Sequence, residues 1–173
     1  MRIKVIAIVI SFAAAPMLSS AAEPGPTYAD PVAYCAAVGT IDHPDARYSG
    51  EAVPDWMARA LMQATGALPT APLSVFKHAA WRCAAGQVMA CSYGANIPCD
   101  QKADTSRRPS QGARAFCAEH PRAGVIPAFA TGHATIYEWR CRGADPVIAR
   151  QVLQLDAQGY PAPFWHDVGS LGR

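Results

Sequence analysis

Histidines near carboxylates are the residues of this sequence with the types that general acid–base chemistry needs. The segment Asp42-His43-Pro44-Asp45 places an imidazole between two carboxylates in a turn, and His133 lies shortly before Glu138. Imidazole and carboxylate groups are common general acids and bases. One hypothesis is therefore a hydrolase with a dispersed active site that includes His43, His133 and Glu138. The alternative interpretation is a solvated turn at Asp42–Asp45 and a partly buried histidine at position 133.

The cysteines are the second set of residues that could do chemistry, and there are six of them. No two form a C-x-x-C pair and no two histidines form an H-x-x-x-H pair, the spacings typical of zinc and thioredoxin-type redox sites. We therefore predict no metal and no cofactor. An even number of cysteines favours structural disulfides. The predicted disulfide residues are Cys35, Cys83, Cys91, Cys99, Cys117 and Cys141.

The first residues indicate that the protein is exported. A basic start at Arg2 and Lys4 precedes an apolar run from Val5 to Ala15, and small residues follow up to Ala22. This is the pattern of a signal peptide, and the run is shorter than the roughly 20 residues of a membrane-spanning helix. We predict a signal peptide over 1–22, a single disulfide-stapled domain over 23–173, no transmembrane segment after signal removal, and a periplasmic or extracellular location.

Charge excludes one class of function. Removing Arg2 and Lys4 lowers the number of Lys and Arg residues from 15 to 13, equal to the 13 acidic residues. This balance argues against a nucleic-acid partner. A local basic segment remains around a predicted helix and is a candidate patch for an anionic ligand; the alternative is a solubilising face paired with Asp104 and Glu119. Its arginines are Arg107, Arg108, Arg114 and Arg122.

Three short helices are predicted in the chain. Asp30 is a suitable N-cap and Gly39 a suitable stop for a helix over 31–38. A second helix follows Pro54 and ends near Gly66, with an apolar stripe on one side. A third runs from its cap at Ser110 to about Glu119 and turns Ala113, Phe116 and Cys117 inward.

The second half of the chain changes to an alternating pattern that predicts two β-hairpins. Trp81-Arg82-Cys83 and Trp139-Arg140-Cys141 each end an alternating run, and a turn with a glycine follows. Tryptophan and cysteine share the inward face in both copies, opposite the arginine. The repeat is either an internal duplication or ordinary packing of tryptophan against cystine. We predict an α+β fold in which short N-terminal helices pack on a small antiparallel sheet built from two hairpins.

Spacing limits the disulfide pairing without deciding it, since six cysteines allow 15 pairings. A tight turn at Ala85-Gly86 places Cys83 and Cys91 on opposite faces of the sheet. This disfavours their pairing and favours Cys91 with Cys99. Cys35 and Cys117 then have partners in the sheet or each other.

Three stretches of the sequence carry a resemblance to known proteins: Trp81–Val88, Gly94–Cys99 and Tyr137–Cys141. In these stretches the chain resembles small exported cysteine-rich proteins of proteobacteria, a group that implies no particular activity. The hairpin around Cys83 is also similar, over a short stretch, to hairpins of periplasmic lysozyme inhibitors, from which no residue role is transferred.

The leading functional hypothesis is a secreted or periplasmic binding domain, with an envelope protein or an anionic envelope component as partner. The G-x-S-x-G and H-E-x-x-H motifs of hydrolases are absent from the sequence, and this favours binding over catalysis. The tyrosine, phenylalanine and tryptophan of the segment 159–166 are predicted to close the core, with a ligand-facing aromatic shelf as the alternative.

Overall fold

A computed structural model of the chain describes residues 25–94 and 98–171. The predicted signal peptide over 1–22 lies outside these residues. The helices are α1 (Pro31–Val38), α2 (Asp55–Ala64), α3 (Leu73–Phe76), α4 (Gln111–Glu119) and α5 (Ala128–Thr131), with a 3-10 helix at Ala162–Phe164. The strands are β1 (Ala80–Ala84), β2 (Gln87–Cys91), β3 (Tyr137–Arg142), β4 (Asp145–Gln151) and β5 (His166–Asp167).

Local capping places the helices where the sequence predicts them. The Asp30 carboxylate accepts hydrogen bonds from the backbone N–H groups of Val32 and Ala33 at 3.2 and 3.3 Å, and α1 ends at Gly39 with φ of 76°. At α4 the Ser110 hydroxyl accepts a hydrogen bond from the Ala113 N–H at 2.9 Å. These side chains satisfy donors that the first helical turn leaves unpaired. The three predicted helices are confirmed, whereas the single-turn helices α3 and α5 had no sequence signal.

The first hairpin joins β1 and β2 through the tight turn that the sequence predicts. Ala84 pairs with Gln87, and the two turn residues, Ala85 and Gly86, have φ of 51° and 82°. Positive φ at both positions is the property of a type I′ turn. β5 adds to the other edge of β2, so the sheet order is β1-β2-β5.

The second hairpin, β3–β4, forms a sheet of its own, and this corrects the prediction that both hairpins share one sheet. The physical reason lies at the edge of β2. β5 pairs there, and the second hairpin instead packs with helices α4 and α5 around Trp139. The α+β class, with helices packed on antiparallel hairpins, is confirmed.

Both faces of the first sheet are covered. Trp81 and Cys83 pack into a core with α1 and α2, which includes Tyr34, Met57 and Leu61. The opposite face is covered by the segment that precedes β5, in a second core that contains Cys91, Cys99, Tyr160 and Trp165. Tyr160 and Trp165 are 2% and 6% exposed, which confirms that these aromatics close the core.

Burial of both faces encloses an arginine. Arg82 lies on the face opposite Trp81 and Cys83, as predicted, and it is completely buried. Its guanidinium carbon lies 4.4 Å from the ring centroids of both Tyr160 and Trp165, and it forms an ion pair with Asp156. The alternation along β1 correctly separates two faces, but it cannot show that a later segment covers the second one.

A third core lies between the second hairpin and helices α4 and α5. Trp139 packs there with Ala113, Cys117 and Ala130, as the inward faces of the predicted helix and strand require. The α4 helix approaches α5 closely at Gly112, where a Cβ atom would lie 2.6 Å from the Ala130 carbonyl oxygen.

All six cysteines are paired, which confirms the predicted disulfides. The bridges are Cys35–Cys83, Cys91–Cys99 and Cys117–Cys141. Cys91 pairs with Cys99 as the opposite faces of Cys83 and Cys91 favour, and each helical cysteine has its partner in a strand. Within the described ranges, no helix has the length and apolar character to cross a membrane.

Candidate functional site

A groove of about 640 Å³ lies at the outer edge of β1. Its floor is the chain from Lys77 to Trp81, one wall is the loop 43–53, and the other wall comes from Tyr93 and Asp100. Polar and aromatic side chains share the lining with small apolar ones, a mixture that is typical of ligand sites. We name this cavity the β1 groove.

The loop wall of the β1 groove is held in place by Asp45. The Asp45 backbone N–H donates to the Tyr34 hydroxyl at 3.0 Å, and that hydroxyl donates to the Asp45 carboxylate at 3.2 Å. Arg47 forms an ion pair with the same carboxylate at 2.6 Å. The hydrogen bonds from Arg47 lower the pKa of Asp45 to about 2. This lowered pKa means that the loop anchor stays ionised at neutral pH and weakens only as the pH falls toward 2.

The charge at the floor of the groove is neutralised within the protein. The Lys77 ammonium donates to Glu51 and to Asp55, the latter at 2.9 Å, and these carboxylates raise the pKa of Lys77. Arg59 lies 3.6 Å from the same Asp55. This network ties the loop to helix α2 and leaves no excess positive charge at the groove.

The aromatic part of the groove is rigid. The Trp81 indole N–H donates to the Ala52 carbonyl at 2.6 Å, and the Trp81 ring contacts Tyr48 edge to face with centroids 4.9 Å apart. Tyr34 contacts both rings from the core side. Such contacts fix the ring orientations before any ligand arrives.

Four polar side chains of the groove take no part in the hydrogen bonds and ion pairs that hold its walls. His43, His78, Tyr93 and Asp100 are exposed, and among the described residues none of the four side chains has a hydrogen-bond or ion-pair partner. The side chain of Tyr93 has its pKa raised by burial and then by the charge of Asp100. These groups are available to a ligand. Sequence reasoning found only His43, because the other three lie far apart in the chain and match no motif.

A second cavity of about 440 Å³ adjoins the β1 groove. Tyr93 lines both, and the second cavity also contains Phe76, Phe164 and His166. Tyr93, half exposed, is therefore the shared wall of a longer depression along this side of the molecule.

The hydrolase hypothesis is not supported by the geometry. Glu138 binds Arg150 through both carboxylate oxygens, at 3.2 and 2.9 Å, and the hydrogen bonds from Arg150 lower the pKa of Glu138. A carboxylate held in an ion pair is a poor general acid or base at neutral pH. His43 lies in the β1 groove, whose described lining contains neither His133 nor Glu138.

The arginine patch is exposed, and the structure gives it one aromatic contact. The guanidinium carbon of Arg107 lies 5.4 Å from the ring centroid of Tyr137. The expected pairing with Asp104 and Glu119 is not observed in residues 25–94 and 98–171, since Asp104 instead accepts a hydrogen bond from the Ser106 N–H at 2.7 Å. Anion binding by Arg107, Arg108, Arg114 and Arg122 stays a prediction.

Potential metal ligands do not come together in the part of the chain that the structure describes, where no group of three or more His, Cys, Asp or Glu side chains is placed to hold an ion. No protein-family model matches the chain, and comparison with curated proteins and with solved structures found no match. The β1 groove and its surroundings are therefore the features of the molecule that bear on its function.

Proposed function

We propose that this protein is an exported binding domain that holds an envelope protein in the β1 groove. The single observation that carries this proposal is the set of unused polar side chains, His43, His78, Tyr93 and Asp100, around a preformed groove. Exposed polar groups beside fixed aromatic rings can bind a ligand with little ordering of the site, which favours affinity.

The frame around the groove supports binding. The Cys35–Cys83 disulfide attaches helix α1 to the strand that forms the floor, and Cys91–Cys99 holds the chain just before Asp100. The Asp45 and Lys77 networks fix the loop wall. Disulfides of this number are typical of proteins from oxidising compartments, which agrees with the proposed periplasmic or extracellular location.

Site-specific photocrosslinking in the cells that make the protein tests this proposal. A benzophenone amino acid replaces Tyr93, which keeps an aromatic ring in the groove, and Arg114 in the arginine patch. A third variant carries it at Ala149, an exposed residue of β4 that serves as the control. The products are analysed by gel shift and mass spectrometry.

A defined protein adduct at Tyr93, without the same adduct at Ala149, is the expected result. An adduct at Arg114 alone would place the binding surface on the arginine patch and contradict the groove proposal. A chain that is exported and folded but gives no adduct at either position would contradict a binding function.

A further inference from the structure

At the outer edge of β1, the backbone of Cys83 is hydrogen-bonded to another segment, whereas the backbone of Trp81, two residues earlier on the same edge, is not. Cys83 exchanges two backbone hydrogen bonds with Ile41, at 3.0 and 3.1 Å. Alternate residues of a strand direct their backbone groups to the same edge. Trp81 therefore directs its N–H and C=O to the same outer edge as Cys83.

The Trp81 backbone groups find no hydrogen-bond partner among the described residues. The chain that covers Cys83 turns away after Ile41, through Asp42, His43 and Pro44, and it does not continue along β1. Trp81 and His43 both line the β1 groove, so the groove opens where this pairing stops.

We propose that the β1 groove binds an extended peptide segment of the partner protein, which pairs with Trp81 as an additional antiparallel strand. This inference rests on the proposed binding function and specifies its ligand. An unpaired strand edge is a template for such β-strand addition, in which main-chain hydrogen bonds give affinity and alternate side chains give specificity.

The face of each peptide side chain follows from the pairing. A peptide residue opposite Trp81 points to the face of Trp81, toward Tyr48 and Val53 in the groove wall, which suits an apolar side chain. Its neighbours point to the other face of the sheet, where Ala80 pairs with Cys91 and the Cys91–Cys99 bridge positions Asp100.

Charge selects the neighbouring peptide residues. Asp100 has no ion-pair partner in the described chain, while Lys77 is already neutralised by Glu51 and Asp55. The net uncompensated charge at the groove is therefore the negative charge of Asp100. The preferred peptide alternates an apolar residue with lysine or arginine, because opposite charges at such short range favour the complex.

Selection from a displayed library of random twelve-residue peptides on the purified mature protein tests this inference. Enriched peptides are synthesised, and their affinities are measured by fluorescence polarisation for the wild type, D100N, and D145N as a matched control at the exposed first residue of β4. Each peptide is also made with its central backbone amides N-methylated. Hydrogen exchange at the Trp81 amide is followed with and without peptide.

We expect alternating apolar and basic peptides whose affinity falls about tenfold on N-methylation of a pairing amide, the effect of one lost hydrogen bond. D100N should weaken binding and D145N should not, and the peptide should slow exchange at Trp81. Equal affinity of N-methylated peptides, or unchanged exchange at Trp81, would overturn the inference. If no peptide is enriched while Tyr93 still forms its crosslink, the groove binds something other than an extended strand and only the proposed function stands.

Discussion

At the scale of single residues, Arg82 shows how the interior of this protein accommodates a charge. Its guanidinium lies between the rings of Tyr160 and Trp165 and binds Asp156 and Gln158. A buried charge is tolerated only when it is paired and hydrogen-bonded. The residue thereby attaches the segment before β5 to strand β1.

The D156N substitution should destabilise the protein strongly. It removes the charge partner of Arg82 and leaves a buried cation without a counterion, which costs about 3 kcal/mol in the free energy of unfolding. Urea unfolding with intact disulfides measures the effect. The control D145N, at an exposed position, should change stability by less than about 0.5 kcal/mol. Equal stability of the two variants would mean that Asp156 does not compensate Arg82.

At the scale of elements, the two hairpins have turns with different backbone demands. Ala85 has φ of 51° and is the only described non-glycine residue with positive φ. In the second hairpin the same first turn position is occupied by a glycine, Gly143, with φ of 63°, and Ala144 follows it with a negative φ. An L-residue with a Cβ atom is strained in this region, and asparagine tolerates it better than alanine does.

Replacing Ala85 with Asn should therefore stabilise the protein. An Asn-Gly pair is preferred in a type I′ turn, and we expect a gain of about 0.5–1 kcal/mol in the free energy of unfolding. The control substitution Ala144→Asn, at the alanine of the second turn, should give no such gain, because φ at that residue is negative. Thermal and urea unfolding of both variants measure the change in stability. A lower stability of A85N would contradict the turn geometry.

At the scale of the whole molecule, the three disulfides close loops of different lengths and should therefore contribute differently to stability. The bridges close loops with sequence separations of 48, 24 and 8 residues, for Cys35–Cys83, Cys117–Cys141 and Cys91–Cys99. The second hairpin and its core lie in the chain between β2 and β5, so the first sheet is completed only when the C-terminal segment returns.

Removing each bridge by a pair of Cys→Ala substitutions should give graded losses of stability. Loop-closure entropy at 25 °C predicts about 4 kcal/mol for Cys35–Cys83, about 3.5 for Cys117–Cys141 and about 2.5 for Cys91–Cys99. Urea unfolding of the three variants measures the order. If loss of Cys91–Cys99 were the most damaging, contacts made by that bridge rather than chain entropy would dominate its contribution.

Much of the local structure was determined by the sequence alone, because short-range chemistry sets it. Asp30 and Ser110 cap helices through hydrogen bonds to residues two or three positions away. Gly86 readily adopts the positive φ that the first turn requires. The opposite faces of Cys83 and Cys91 follow from the two-residue period of a strand. These features need no knowledge of distant parts of the chain.

Only the tertiary structure decided which faces are covered and which groups meet. Arg82 is buried because a segment more than seventy residues later packs on it, with a sequence separation of 74 residues to Asp156. Likewise His43, His78, Tyr93 and Asp100 come together around an edge that Ile41 only partly covers. Such long-range contacts depend on the packing of whole elements, and no local pattern of residues encodes them.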